Sequence, residues 1–492
     1  MRFSKAVLVV LVLFGTLALF RAPVDPDFGW HYTYGEYIVR HGQLLRTNVF
    51  SHTFTDYTWA NSYWFAQVIF YLAHRYLGHL VAGLLFAGVL SLAVVGYVRG
   101  VVRKTPPVSM LTAVAALVLF MELAGSAVVG RPMYFSTLFL MALTAVLYRG
   151  DLDQAGMVRR GIGKLVAVPV LFAVWANMHA DFVLGLGMFG VYVAERIVSA
   201  IRGGQHLRWQ TAALVSAGML SVAATLVTPY GLGLWQTLLK EAHPYQFSYI
   251  SEWVPVSTAN MYYFVIYCTT LGLVVSALIG ARHKLPTWYV VALGVLCIAA
   301  VRSQYFLRVV VSIGIPAVIV FWSDPLLSLK RALSPSSVGK AKVGFLLFLL
   351  LSTLGVGTIF LQDARQCTNP DYWTTKQRYP KAALDFASTH SITGNVFNYY
   401  GWGGYMIWNY PAYKTFVDGR MPSWRQGDKS VFEDYMRVVK APTQYLPSLA
   451  AYTVDWIVYP VDSEFVTVLR SPTSGWREVY SDDIAAIFVE NL

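Results

Sequence analysis

The chain has 492 residues, of which 56% are hydrophobic and only 13% are charged. Because a soluble domain usually carries about a quarter charged residues, this composition predicts a protein with many membrane spans. The net charge is +12, but the basic residues fall in short loops between apolar runs, so the charge indicates membrane topology and not binding to nucleic acid. The three cysteines form no disulfide or metal-binding pattern.

The first apolar segment leads directly into the sequence Asp25-Pro26-Asp27-Phe28-Gly29-Trp30-His31. Ionisable groups at the mouth of a bilayer are costly to hold there, so they are candidates for function. Asp25 or Asp27 can serve as a general base or a ligand. Either residue can also simply cap a helix that begins near Phe28, as aspartate commonly does.

The segment after this motif predicts two helices on the outer membrane surface. Residues 29–40 place Trp30, Tyr34 and Tyr37 on one helical face, rich in the aromatic side chains that favour the bilayer interface. Residues 62–76 form a second amphipathic stretch. The alternative is a loop that merely packs on the spans.

About eleven apolar segments are capable of spanning a bilayer. They are 6–21, 78–98, 108–129, 133–148, 164–179, 182–200, 211–228, 261–281, 286–301, 304–323 and 343–361. Most Lys and Arg residues lie in loops on one side of these segments, which predicts a multi-pass protein of the plasma membrane with a cytoplasmic N-terminus. Residues 22–77, 229–260 and 362–492 are then external. A cleaved signal peptide is an alternative for the first segment, although it lacks a small-x-small cleavage site.

From about residue 362 the composition becomes that of a soluble domain. The sequence 379–386 predicts the start of a helix with proline near its first turn. Short strands are predicted at 395–398, 414–417, 455–459, 478–480 and 485–489. We therefore expect a transmembrane domain over 1–361 and a small external α/β domain over 362–492. Its Asp418-Gly419-Arg420 sequence fits a strand-to-turn junction as well as a catalytic role.

This arrangement of spans, acidic first loop and external C-terminal domain resembles the GT-C superfamily of glycosyltransferases that use polyprenyl-phosphate sugars. Five groups of residues carry a narrower resemblance to a set of bacterial membrane proteins. They are the motif at 25–31, Gly35-Glu36, Trp175-Ala176-Asn177-Met178-His179, Thr228-Pro229-Tyr230-Gly231 and Tyr400-Gly401-Trp402-Gly403-Gly404-Tyr405.

The resemblance implies transfer of a sugar from a polyprenyl-phosphate donor, on the outer face of the membrane, to a glycan, lipid or protein acceptor. Asp25 or Asp27 would take the proton of the acceptor, and the other would position the acceptor or a divalent cation. One base is sufficient for an inverting transfer. Trp30 and His31 lie next to these carboxylates and are expected to bind substrate.

A departing phosphate requires cationic partners, and Arg131 and Arg302 are candidates because arginine pairs well with phosphate oxygens. Their alternative role is to set span boundaries or reach lipid headgroups. His179 and Asp181, in a predicted external turn, can bind donor phosphate or metal, but two side chains alone do not define a metal site.

Three other functions remain open from the sequence. A transporter of lipid-linked sugars would be expected to carry polar residues in mid-span or broken helices. A glycan ligase or polymerase would depend more on an external histidine and arginine than on an acidic first loop. A scaffold would use the external domain to bind a partner.

Overall fold

The computed structural model describes residues 5–23, 25–102, 130–152, 162–202, 209–241, 249–250, 252–332, 335–369 and 378–491. The chain divides into two compact units. The helical unit comprises Met1–Arg21, Leu80–Leu232 and Phe247–Ala364, and the mixed unit comprises Ala22–His79, Gly233–Gln246 and Arg365–Leu492.

Twelve helices precede the C-terminal segment in the part of the chain that the structure describes. They are α1 (Lys5–Leu19), α2 (Phe28–His41), α3 (Trp64–Val102), α4 (Met133–Leu152), α5 (Ile162–Trp175), α6 (Phe182–Arg202), α7 (Trp209–Ala224), α8 (Leu232–Glu241), α9 (Met261–Ala281), α10 (Thr287–Arg302), α11 (Tyr305–Ala332) and α12 (Pro335–Thr368).

Four helical stretches are long and apolar enough to cross a membrane: Trp64–Val101, Phe182–Arg202, Met261–Ala281 and Tyr305–Trp322. Five shorter apolar helices match further predicted segments. The predicted segment 108–129 lies outside the described residues, so the number of spans stays a prediction. Within the helical unit, α11 packs against α9 and α10. Its apolar stretch is 83% buried, against 28% for that of α6, so α11 is the more central helix.

The range of α3 contains two helices that meet at a kink, and they correspond to the two segments that the sequence predicts separately, 62–76 and 78–98. The helix is interrupted at Gly78, whose φ of 74° and ψ of 165° are not helical. A residue without a Cβ adopts such a positive φ at little cost, whereas other residues rarely do. The kink therefore falls where the sequence supplies a glycine.

Helix α2 is confirmed, and it ends at Gly42 with a left-handed φ of 63°. The aromatic face that we predicted to lie on the bilayer is instead partly buried in protein. Trp30 is 4% exposed and Tyr34 is fully buried. The amphipathic pattern correctly gave the helix, but it could not indicate which surface covers the apolar face.

The C-terminal segment of the mixed unit contains a four-stranded sheet. Its elements are α13 (Lys381–Thr389), β1 (Asn395–Asn398), α14 (Gly403–Asn409), α15 (Val431–Lys440), α16 (Pro442–Tyr445), β2 (Val454–Pro460), α17 (Glu464–Leu469), β3 (Trp476–Ser481) and β4 (Ala485–Glu490). The strand order is β1-β2-β4-β3, with β1 parallel to β2 and the other two pairs antiparallel. Four of the five predicted strands are confirmed.

The predicted strand at 414–417 is wrong, because a side chain takes the place of a β-ladder there. The Asn398 amide oxygen accepts from the backbone N–H of Phe416 at 2.7 Å, and its Nδ2 donates to the Val417 carbonyl at 2.9 Å. Thr415 forms only an isolated bridge to Ser51. The backbone groups are thus satisfied without a regular strand.

An ion pair with no exposed side-chain surface links Asp418 and Arg420. The Arg420 Nε donates to Asp418 Oδ1 at 2.7 Å, and Nη2 donates to Oδ2 at 2.6 Å. Its Nη1 donates to the hydroxyl of Tyr34 on α2 at 2.9 Å. Burial alone would lower the pKa of Arg420, but Asp418 and Tyr34 raise it overall, so the guanidinium stays charged. The Nη1 donor fixes α2 to the loop between α14 and α15.

Asp418→Asn should destabilise the mixed unit by about 3–5 kcal/mol, because it leaves the Arg420 charge buried without its carboxylate. The measurement is the midpoint of unfolding of the purified protein in detergent. Lys381→Gln is the matched control, since it breaks the pair with Asp385, in which both side chains are nearly half exposed. Such exposed pairs contribute about 0–1 kcal/mol. Equal losses in the two variants would contradict this interpretation of the buried pair.

Candidate functional site

The two aspartates of the first loop, Asp25 and Asp27, lie directly before α2 in the mixed unit, and both are half-buried. Asp27 occupies the N-cap position of α2, yet its side chain makes no capping hydrogen bond. Its Oδ1 instead accepts from the indole Nε1 of Trp30 at 3.0 Å. The Oδ1 of Asp25 accepts from the backbone N–H of Asp27 at 2.9 Å. These bonds hold the carboxylates in a fixed relation. Asp27 makes no capping hydrogen bond, whereas Asp25 accepts from the backbone N–H two residues ahead of it, as a helix-capping aspartate does.

His31 is buried beside Trp30, with the two ring centroids 3.6 Å apart. A chain of hydrogen bonds determines its tautomer. Asn61 Oδ1 accepts from the Tyr63 backbone N–H, so its Nδ2 donates to Gln67 Oε1 at 2.7 Å. Gln67 Nε2 must then donate to His31 Nδ1, at 3.1 Å. The Nδ1 atom is an acceptor, which gives a neutral imidazole with its proton on Nε2.

A second group of polar residues lies in the helical unit and centres on Asp181, just before α6. We call His179, Asp181, Tyr305 and Arg308 the ionic cluster. The Tyr305 hydroxyl donates to Asp181 Oδ1, and Arg308 Nη2 donates to Asp181 Oδ2 at 3.2 Å. His179 Nδ1 lies 3.3 Å from the same Oδ2. Burial acts to raise the pKa of Asp181, but His179, Arg308 and Tyr305 lower it overall, so the carboxylate is ionised.

The imidazole of His179 is fixed by neighbours from two helices. The hydroxyl of Ser136, on α4, lies 3.0 Å from His179 Nδ1. The Trp175 indole at the end of α5 donates to that hydroxyl at 2.9 Å. Trp175 and Ser136 are fully buried. This support orients the ring of His179, which the sequence predicts as a substrate-binding residue.

The two predicted phosphate-binding arginines have different environments. Arg131 forms an ion pair with Glu252 and is mostly buried. Arg302, at the end of α10, is exposed. The arginine that contacts Asp181 is Arg308, on the first turn of α11. The role of Arg302 in donor binding stays a prediction.

Arg308 is the residue that the sequence analysis missed. It lies inside the predicted span 304–323 and is 7% exposed. A lone arginine in an apolar span is itself a signal of function, because an intramembrane charge must be paired. Glu252, which the sequence indicates as a loop residue, pairs with Arg131, and its carbonyl accepts from the Tyr305 backbone N–H at 2.8 Å. It thereby connects the Arg131 pair to the ionic cluster.

Metal binding depends on a larger set of ligands than these pairs provide. Within the described residues, no group of three or more His, Cys, Asp or Glu side chains is arranged to hold a metal ion. Dependence on a divalent cation therefore stays a prediction.

Comparison with known proteins identifies the fold. No protein-family model and no curated protein matches the chain. Among solved structures, the oligosaccharyltransferase AglB of Archaeoglobus fulgidus, in complex with an inhibitory peptide and a dolichol-phosphate, aligns with a TM-score of 0.53 and 10% identity. The alignment covers 99% of this chain and 74% of that protein.

A second structure of an Archaeoglobus fulgidus oligosaccharyltransferase, tethered to an acceptor peptide, aligns with a TM-score of 0.51 and 11% identity. It covers 93% of this chain and 69% of that one. ArnT from Cupriavidus metallidurans aligns at 0.49 and 14% identity, over 99% of this chain and 97% of that one. The chain therefore shares its fold with the two archaeal oligosaccharyltransferase structures whose TM-scores are 0.53 and 0.51.

Asp181→Asn should destabilise the helical unit by about 3–5 kcal/mol, because it leaves Arg308 buried without a carboxylate partner. The double variant Asp181→Asn with Arg308→Gln should regain part of that loss, since both charges are then absent. Unfolding midpoints in detergent measure both effects. Arg302→Gln is the control, because its side chain is exposed and should change the midpoint little. A double variant that is no more stable than Asp181→Asn alone would contradict the pairing.

Proposed function

We propose that the protein is an integral-membrane glycosyltransferase that moves a sugar from a polyprenyl-phosphate donor to an acceptor on the outer face of the membrane. The fold supports this assignment, because the solved structures that it resembles are oligosaccharyltransferases, one of them bound to dolichol-phosphate. Fold alone does not define chemistry, so the assignment depends on the residues of the site.

The observation that carries the proposal is the state of the two carboxylates. Asp25 and Asp27 remain partly accessible, whereas Trp30 and His31 beside them are buried. A general base must reach the proton of the acceptor, and a partly exposed carboxylate on a fixed loop meets that need. Asp27 or Asp25 acts as the base of an inverting transfer, and Trp30 and His31 form the adjacent wall.

The ionic cluster supplies the most suitable cation for the donor phosphate. Arg308 carries five N–H donors in a planar fork; Nη2 donates to Asp181 and Nη1 donates to the Met133 carbonyl. Arginine binds phosphate oxygens through such paired donors. Asp181 is engaged by Tyr305 and Arg308, so it positions the guanidinium and does not act as a base. Arg131 and Arg302 are further candidates for contacts with the phosphate.

Transport of a lipid-linked sugar is the alternative function that one feature of the structure favours. Two helices meet at the non-helical Gly78 within α3, and discontinuous helical segments are common in transporters. A transporter would move the donor across the membrane without forming a glycosidic bond.

Asp25→Asn and Asp27→Asn should identify the base. The variant that removes the base should transfer sugar about 10²–10⁴-fold more slowly, because that is the usual contribution of a positioned acid or base. The assay uses proteoliposomes, native membrane extract as the source of acceptor, and a panel of undecaprenyl-phosphate-linked radiolabelled hexoses. It measures label in new glycosidic products.

Asp462→Asn is the matched control, since Asp462 is an exposed aspartate of the mixed unit that pairs with the exposed Arg378. It should leave the transfer rate unchanged. Full activity in both Asp25→Asn and Asp27→Asn would overturn the proposed base. Movement of labelled donor across the bilayer without any new glycosidic product would establish transport instead.

A further inference from the structure

Three glycines lie where the C-terminal domain packs against the start of α2: Gly29, Gly404 and Gly419. A Cβ on Gly404 would overlap the carbonyl oxygen of Pro26, and a Cβ on Gly29 would overlap the carbonyl oxygen of Gly404. Helices α2 and α14 thus pack backbone to backbone at this point. Only residues without a side chain permit such close approach.

The third glycine lies against the carboxylate itself. A Cβ on Gly419 would overlap Oδ1 of Asp27 and would lie 3.1 Å from the Trp30 Nε1. Oδ1 is the same atom that accepts the indole hydrogen bond of Trp30. The Gly419 backbone therefore forms one wall of the space that the Asp27 carboxylate occupies.

Gly419 is held rigidly because the residues on both sides of it form the buried ion pair. Asp418 also accepts from the backbone N–H of Arg420 at 3.0 Å and from the Thr415 hydroxyl at 3.2 Å. Arg420 reaches back to Tyr34, which lies on α2 together with Trp30. The loop is therefore bonded to the helix next to the Asp27 carboxylate, through Arg420 and Tyr34.

We propose that Gly419 is a positioning residue for Asp27, so that the C-terminal domain completes the catalytic site instead of only recruiting an acceptor. This inference rests on the proposed function and deepens it. The Asp418–Arg420 pair holds the loop, Gly419 leaves room for one carboxylate rotamer, and Trp30 fixes that rotamer through its indole N–H. Asp25 is tied to the same arrangement by its bond to the Asp27 backbone.

A double-mutant cycle tests the contact without any substrate. Gly419→Ala should lower the unfolding midpoint of the otherwise native protein, because the added methyl group displaces the Asp27 carboxylate. In an Asp27→Ala background the carboxylate is absent, so Gly419→Ala should lower the unfolding midpoint much less. Gly394→Ala is the matched control, because its Cβ would meet a different carboxylate, Asp455 Oδ2, at 2.2 Å. Its cost should be the same in both backgrounds.

The catalytic consequence is measured with the labelled undecaprenyl-phosphate hexose that the native protein uses. Gly419→Ala should lower kcat about 10–100-fold, since a displacement of about 1 Å can cost about 10²-fold. Its KM for the donor should stay within about twofold, because the phosphate contacts are elsewhere. A purely structural role would reduce the amount of folded protein and leave kcat per folded molecule unchanged.

The outcomes separate the two proposals. If Asp27→Asn is inactive but Gly419→Ala keeps its native kcat, the positioning role is wrong and the proposed function stands. If Gly419→Ala costs the same stability with and without the Asp27 carboxylate, the positioning role is also wrong. If Asp27→Asn keeps full activity while the stability cycle shows coupling, the contact is real but the catalytic role of Asp27 is overturned.

Discussion

The mixed unit depends on one buried ion pair. Asp418 and Arg420 have no exposed side-chain surface, and removing two charges from water is costly unless their remaining hydrogen-bonding groups are satisfied. Here the carboxylate also accepts from Thr415, and the guanidinium also donates to Tyr34. Tyr34 and Arg420 lie 386 residues apart in the chain. The requirement to satisfy a buried charge therefore joins the first loop to the C-terminal domain, and this pairing fixes the surroundings of Asp27.

The helical unit obeys the same constraint in a more apolar setting. Arg308 cannot be buried near the start of α11 without an anion, and Asp181 provides it. The carboxylate in turn is shared with Tyr305 and His179. Among the described residues, the buried Asp and Arg side chains of both units thus lie in pairs or small networks. In the helical unit this arrangement keeps a buried guanidinium paired with a carboxylate, whereas in the mixed unit it stabilises a loop.

The sequence predicts those parts of the fold that local pattern determines. Helix α2 and four strands follow from apolar periodicity, and Gly42 ends α2 as a left-handed cap. The missing strand at 414–417 shows the limit, because the side chain of Asn398 replaces the ladder and no local pattern reveals that contact. The burial of Trp30 was missed for a similar reason. Periodicity defines the apolar face of a helix, but it does not show whether lipid or protein packs against that face. Arg308 was different, since a single charge in an apolar span was visible in the sequence.

The glycine-rich sequence from Tyr400 to Tyr405 is one of the groups that resemble bacterial membrane proteins. The structure gives a physical reason for its glycines. Gly403 lies against the Asp418 backbone, and Gly404 lies against the Pro26 carbonyl. Both glycines therefore serve close approach of the C-terminal domain to the acidic loop and to the ion pair. A domain whose only task was to bind an acceptor would not need its backbone packed at this point. The placement of the glycines is better explained if the domain shapes the site around Asp27.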